Sequence, residues 1–296
     1  MSQAASPTSG QQYGLSRVLR VWELPRSSFY AARQRARCVL PLRRRGPKPR
    51  WGDEQLLAAL QALIAASPFH GEGYRKLWAR LRADQIRTSP GRVLRLLRAG
   101  QLLSPHRMPQ APPRQHAGVI TTQQPNLMWG TDMTLTVTTD EGQVSVFAAI
   151  DHFNSQCVGI HASKRGNRFE ALEPLRQGVR EQFGVFGAAA AAGLKLRHDH
   201  GSQYMSDHFQ DEIAFLGMTS SPAFVRQPEG NGCIERFFRT LKEQLLWVRH
   251  FRNVEELRLA LVEFRHSYNR NWLIGRLGYR SPLTARNCLQ AAAAAA

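Results

Sequence analysis

The sequence predicts an α/β protein: a mixed five-stranded sheet with flanking helices, preceded by an all-helical region. Three observations carry this. Residues 128–138 alternate with a period of two, a second and third strand-like run follow closely, and from residue 167 helical and strand-like segments alternate. Upstream of residue 104 the elements read as helices, apart from a basic arm at 41–50.

Residues 15–22 and 27–37 read as short helices, the second starting at Ser27 after Pro25. Residues 41–50 hold Arg43, Arg44, Arg45, Lys48 and Arg50 among prolines, and read as a basic arm or linker. Residues 53–66 place Leu56, Leu57, Leu60, Leu63 and Ile64 at helical spacing, with Asp53 as cap; residues 74–82 place Leu77, Trp78 and Leu81 on one face. Ser89 followed by Pro90 is a start signal for a helix that ends near Gly100. Its Val93, Leu94, Leu96 and Leu97 suit a core, while Arg92, Arg95 and Arg98 recur every third residue. Three short helices with a basic last one fit a helix-turn-helix, or a small bundle with a solvated arginine face.

Residues 104–117 are proline-rich and read as an extended linker. In 128–138, Met133, Leu135 and Val137 share one face of a strand, and Asp132, Thr134 and Thr136 the other. A turn at 140–142 leads to a strand at 144–150, making a hairpin, and 157–162 is a third strand. Helix 167–183, strand 194–198, helix 207–216, strand 218–221, helix 232–248 and helix 254–268 follow. Two alanine tracts, 188–192 and 291–296, are low-complexity; the first reads as a surface loop or helix extension.

The 296 residues carry a net charge of +18, and the isoelectric point is near 11. Residues 1–117 hold 21 Lys/Arg against 5 Asp/Glu, and residues 118–296 hold 19 against 17. A charge so concentrated implies a polyanionic partner, because lysine and arginine release condensed counterions from nucleic-acid phosphates. No basic amphipathic stretch suits a membrane surface, and no apolar run approaches the roughly 20 residues of a membrane span. Cys38, Cys157, Cys233 and Cys288 are scattered without a C-x-x-C pair, which fits neither a disulfide framework nor a zinc site. The expected location is cytoplasmic.

Asp132 falls mid-strand, Asp199 directly after a short strand, and Glu235 on a helix that also carries Arg239 and Lys242. Taken singly, Asp132 fits a half-exposed strand, Asp199 an Asx-type turn before Gly201, and Glu235 an exposed partner of Arg239. Together, three carboxylates in a basic protein suit a pair of Mg²⁺ or Mn²⁺ ions about 3.5–4 Å apart, the arrangement phosphoryl transfer requires. Hard oxygen ligands without a Cys/His set argue against zinc. The element order is that of a ribonuclease-H-like sheet. His198 and His200 read as supporting groups, a substrate-side acid or solvated loop residues. Asn231 and Gly232 could present backbone N–H groups to a phosphate or cap a helix. Trp247, Tyr268 and Trp272 read as packing residues.

The stretches WGTD (129–132), DHGSQY (199–204) and NGCIERFFRTLK (231–242) resemble the integrase-core, Asp-Asp-Glu transposases of the retroviral-integrase-like superfamily. The nearest resemblance is to the second-reading-frame (OrfB-type) product of insertion-sequence family three. It extends to Tyr268 and Asn269, to LGYRSP (277–282) and to GEGYR (71–75), and spans roughly residues 15–285. The resemblance implies that Asp132, Asp199 and Glu235 are the metal-binding catalytic triad and that Lys242 contacts terminal DNA. It implies attack by a 3′ hydroxyl at the element end on a phosphodiester, and a copy-out, paste-in route through a circular intermediate. It further implies a homo-oligomer on paired inverted repeats and target DNA, and a partner helix-turn-helix fused by frameshifting from the preceding reading frame. Arg239, Arg92, Arg95, Arg98, Arg43, Arg44 and Arg45 are the other expected DNA contacts. The expected organisation is a helical and basic arm (1–50), a helix-turn-helix domain (51–103), a linker (104–120), a catalytic core (121–250), a C-terminal helical segment (251–290) and an alanine tail (291–296). A DNA-binding regulator with an inert core and a nuclease for RNA–DNA hybrids are the competing functions.

Overall fold

The computed structural model describes residues 3–37, 50–105, 120, 122–223 and 231–294. Arg43, Arg44 and Arg45, most of the proline-rich linker, Cys38 and the last two alanines lie outside the described residues. The chain divides into two compact units, Met1–Arg50 and Trp51–Ala296. In the first, α1 (Leu15–Val21) buries Leu19 alone, and α2 (Arg26–Arg37) buries none of its residues.

The second unit begins with α3 (Asp53–Ala66), α4 (Tyr74–Ala83) and α5 (Pro90–Ala99), which enclose Leu56, Leu60, Leu77, Leu81, Val93, Leu96 and Leu97. Ser89 caps α5, accepting from the Arg92 N–H, as the Ser-Pro signal implies. Asp53 is not the cap of α3. Gly52 holds that position, its N–H donating to Gln55 Oε1 at 3.0 Å, and Asp53 is the first helical residue.

The sheet is mixed, with strand order β3-β2-β1-β4-β5. β1 (Met128–Thr138) is central, antiparallel to β2 (Gly142–Asp151) and parallel to β4 (Lys195–His198). β3 (Cys157–Ser163) flanks β2, and β5 (Thr219–Pro222) flanks β4. Alternation along β2 divides the core between the two faces. Phe147 and Ala149 join Trp129, Leu172, Leu175, Val179 and Phe209 under α6 (Arg168–Phe183) and α7 (Asp207–Phe215). Val144, Val146, Ala148 and Ile150 join Ile234, Phe237, Leu241, Leu257, Leu261 and Phe264 under α8 (Gly232–Leu241) and α9 (Val254–Asn271). On β1, Met133 packs into the α6 side, whereas Leu135 and Val137, on the same face, are exposed on the outer half of the hairpin.

Two segments differ from the expected elements. The helix read as 232–248 is α8 followed by a π-helical turn at Lys242–Leu246. The alanine tract 188–192 is a turn docked on the end of α7, where Ala189 and Ala191 N–H groups donate to the Phe215 and Leu216 carbonyls. Within the expected C-terminal helical segment, α10 (Pro282–Ala294) follows Ser281 and runs on into the terminal alanines. No helix among the described residues is long and apolar enough to cross a membrane.

The helical region is fastened to the core. Phe69 belongs to the α8–α9 cluster and meets Trp272 edge-on at 4.9 Å. Glu72, buried within the GEGYR stretch, accepts two hydrogen bonds from Arg80, whose guanidinium also donates to the Asn271 carbonyl. Asn269 clamps the start of β3, exchanging hydrogen bonds with both the N–H and the carbonyl of Cys157 at 2.9 Å.

Helix α6 approaches the sheet closely at Gly159 on β3. A Cβ there would lie 1.9 Å from the carbonyl oxygen of Pro174 in α6, a backbone atom that cannot swing aside. Gly159→Ala is expected to lower unfolding stability by about 1–3 kcal/mol, as overpacked cores do. Denaturant titration measures it, and a loss under about 0.5 kcal/mol, the scatter of neutral surface changes, would contradict the packing.

Candidate metal and DNA-processing site

Strand register brings the first two acids together. β1 and β4 run parallel with Gly130 opposite Arg197. Carried forward two residues, that register sets Asp132 level with Asp199, the residue after β4 ends. Residues level on parallel strands share a face, and adjacent strands lie about 4.8 Å apart. Asp132 is opposite Ala148 on β2, which faces α8 and α9, so both carboxylates belong to the α8 side.

Helix α8 carries the third acid. Asn231 stands at its N-cap but makes no side-chain cap bond. Its Nδ2 donates instead to the Thr131 carbonyl at 3.3 Å, fixing the start of the helix against β1 beside Asp132. Glu235 lies in the first turn, and Lys242 ends α8 where the π-helical turn begins. π-helical turns often mark functional sites. Glu235, Arg239 and Lys242 therefore keep the spacing of one α-helical stripe.

Electrostatics links these groups. The Asp132 carboxyl is raised to about 6, first by burial, then by the negative charges of Asp199 and Glu235; the Met133 N–H, at 2.7 Å, and Lys242 oppose the rise. Desolvation also raises Glu235. Asp199 is exposed, and its Oδ1 accepts from the Gly201 N–H at 2.9 Å, an Asx turn that aims the carboxylate. Among the described residues no three Asp, Glu, His or Cys side chains are already drawn into metal-ligating range. The donor set nevertheless suits a hard divalent cation, since the charges of Asp199 and Glu235 both bear on Asp132 and an added cation relieves that repulsion.

The remaining expected site residues separate. His198 is buried and stacked on Tyr204, its ring held by the Asp199 carbonyl at 2.7 Å and Ser220 Oγ at 2.9 Å, and burial lowers its pKa. It supports the Asp199 turn as a neutral ring. His200 is exposed, with Nε2 2.7 Å from the Ala223 carbonyl. Arg239 pairs with Glu243 at 3.0 Å. Arg92 and Arg95 both engage Asp53, at 2.6 and 2.7 Å, and Arg92 also donates to the Trp51 carbonyl. Arg98 lies outside that pairing and is exposed. Tyr268 and Trp272 pack as expected, whereas Trp247 is 70% exposed. Two contributors escaped the sequence reading: the Asn231 amide, read only as a cap or a source of N–H groups, and Gln244. The Gln244 side chain brackets the His70 backbone, accepting from its N–H at 2.7 Å and donating to its carbonyl at 2.9 Å.

A carboxyl raised on folding binds protons in the native state that the unfolded chain has released. Ionised Asp132 therefore costs stability, a cost that grows as pH rises from about 4 to 6. Asp132→Asn is expected to stabilise the metal-free protein at pH 7.5 by about 1–3 kcal/mol. The gain should vanish below about pH 4, where the carboxyl is protonated in both states. Thermal unfolding across pH checks this, and a gain that does not depend on pH would contradict it.

Residues 122–228 match a family model described as integrase core domain, and residues 216–282 a second model of the same description, so the two span more than half of the chain. The "Insertion element IS2A uncharacterized 48.2 kDa protein" of Escherichia coli is 25% identical over 287 residues, covering 94% of this chain and 66% of that one. "Transposase InsD for insertion element IS2A/D/F/H/I/K" of Escherichia coli is 26% identical over 238 residues, covering 78% and 77%. Among solved structures, a simian T-cell lymphotropic virus intasome in complex with PP2A regulatory subunit B56 gamma aligns with 78% of this chain and 74% of that chain, at 17% identity and a TM-score of 0.46. The HTLV-2 integrase catalytic core domain in complex with magnesium (trimeric form) aligns with 55% and 98%, at 15% identity and a TM-score of 0.41. With a ribonuclease-H-like sheet, two integrase-core matches and these transposase relatives, the chain belongs to the Asp-Asp-Glu transposases of insertion-sequence family three, in the retroviral-integrase-like superfamily.

Proposed function

We propose that this protein cleaves and joins DNA strands at the inverted-repeat ends of an insertion sequence. The observation that carries the reading is the convergence on Asp132: Asp199 stands level with it in register, and the charges of Glu235 and Lys242 both act on its carboxyl. Asp132, Asp199 and Glu235 would hold Mg²⁺ or Mn²⁺, two ions in the full site. Bound there, the ions supply activation of the attacking oxygen and charge neutralisation at the leaving one.

The chain's own residues supply the rest. Asp132, central in the sheet and hydrogen-bonded to its own strand through the Met133 N–H, is a rigid anchor. Asp199 is aimed by its turn with Gly201, and Glu235 arrives on a helix tied to the same strand. Lys242, on the stripe of Glu235, places a cation where a scissile phosphate would lie, and positions DNA as a point charge. A 3′ hydroxyl at the element end attacks a phosphodiester, one P–O bond forms as another breaks, and the departing 3′ oxygen takes up a proton. No covalent protein–DNA intermediate is needed. The copy-out, paste-in route, an oligomer on paired ends and a frameshift-fused upstream partner accompany this reading. So does DNA gripping by the basic amino-terminal third, with Arg98 and Lys242 as the first contacts to test.

Asp132→Asn, Asp199→Asn and Glu235→Gln are each expected to reduce joining of end DNA with Mg²⁺ by at least about a hundredfold, while DNA binding by gel shift stays near wild type. Chelator should abolish wild-type joining. Joining that survives any of the three substitutions, or that ignores chelator, would refute the proposal. Lys242→Ala should weaken end binding and lower the log–log salt slope by about one.

A further inference from the structure

Two buried acceptors stand beside Gly130, and among the described residues neither has a donor. Gly130 lies on β1 two residues before Asp132 and on the same face. A Cβ built there would stand 2.8 Å from His152 Nε2 and 3.0 Å from Asn231 Oδ1. His152 and Asn231 are only 1% and 6% exposed, and neither of those two atoms has a hydrogen-bond partner. The proton positions follow from the other ends of the side chains. His152 Nδ1 lies 3.2 Å from the Ile120 carbonyl, which only accepts, so Nδ1 carries the proton and Nε2 presents a lone pair. Burial, with Arg197 and Arg276 nearby, keeps the ring neutral. Asn231 Nδ2 is engaged by the Thr131 carbonyl, so its oxygen faces Gly130. Turning the amide over would bring a donor to the Gly130 side only by setting the Asn231 oxygen against the Thr131 carbonyl, two acceptors in contact.

A small donor of two protons satisfies both acceptors at once, and water is the smallest. We propose that His152 and Asn231 hold one buried water beside Gly130, and that this joint positions the first turn of α8, and with it Glu235, over Asp132. The inference rests on the reading of Glu235 as a metal-holding carboxylate. Its supports are independent of the triad. The His152 carbonyl accepts from Arg276 at 3.2 Å, fixing the turn after β2, and Asn231 turns its amide toward the sheet instead of capping its own helix. His152 and Asn231 are thus positioning residues, acting through the helix that carries Glu235.

Nitrogen-15 NMR of the full chain, labelled at histidine, tests the joint directly. His152 should show the neutral Nδ1–H tautomer with a hydrogen-bonded Nε2 from pH 6 to 8; an Nε2–H tautomer or an imidazolium at pH 7 overturns the proposal. Mn²⁺ affinity, read by water-proton relaxation without DNA, tests the positioning. Asn231→Ala and His152→Ala should weaken Mn²⁺ binding about tenfold, in line with other residues that orient metal ligands. His152→Gln, which retains a side-chain acceptor, should return to within about threefold of wild type. Gly130→Ala, which fills the joint, should match the alanine variants and keeps the test open should one of them fail to fold. Wild-type Mn²⁺ affinity in folded Asn231→Ala or Gly130→Ala protein overturns the joint. Asp132→Asn run alongside separates the failures: if it loses Mn²⁺ while Asn231→Ala keeps it, the joint alone is wrong. If Asp132→Asn keeps Mn²⁺, the metal reading fails and the positioning role falls with it.

Discussion

Like charges set level on neighbouring strands repel unless something lies between them, and the arrangement of this core follows from that constraint. The parallel pairing of β1 with β4 brings Asp132 and Asp199 to one height and one face. Asp132 is half-buried on the central strand, on the face packed by α8. Its carboxyl is raised first by burial and further by the charges of Asp199 and Glu235. Relief comes either from a proton, at the cost of the charge, or from a cation, which keeps it. Lys242 supplies part of the second remedy from within the chain, too little to cancel the rise.

The helical region belongs to the same compact unit as the sheet, and its contacts run to the elements that carry the site. Gln244, in the π-helical turn directly after Lys242, brackets the His70 backbone, and Arg80 joins buried Glu72 to the end of α9. Arg92 and Arg95, which the three-residue spacing suggested as a DNA-facing row, are committed to Asp53 and help close the three-helix cluster. That pairing is possible because Gly52 takes the cap position and leaves the Asp53 carboxylate free.

Much of the core was legible in the residues. Period-two alternation located β1 and put Asp132 on its polar face, and the short strand read at 194–198, just before Asp199, located β4, because strand geometry is local and leaves a local pattern. The family-like stretches were legible as motifs, but their division of labour was not. Tyr268, Asn269 and Glu72 turn out to pack and fasten, while the charges of Asp199 and Glu235 both act on the Asp132 carboxyl. What escaped is long-range. Gln244 meets a backbone 174 positions away, and Asn231 reaches a carbonyl 100 positions away, so neither leaves a periodic trace. The π-helical turn escaped for a different reason. One residue more per turn scarcely alters composition, and its stabilising contact comes from the distant His70 backbone. The alanine tracts carry no side-chain information, and one became a docked turn while the other extended a helix.

The most direct test of the central claim is a crystal structure of the protein soaked with Mn²⁺, with data collected near the manganese absorption edge. Anomalous density is expected between the carboxylates of Asp132 and Asp199, with Glu235 drawn toward it on an unshifted α8. Manganese bound elsewhere, with those two carboxylates remaining apart and without metal, would contradict it.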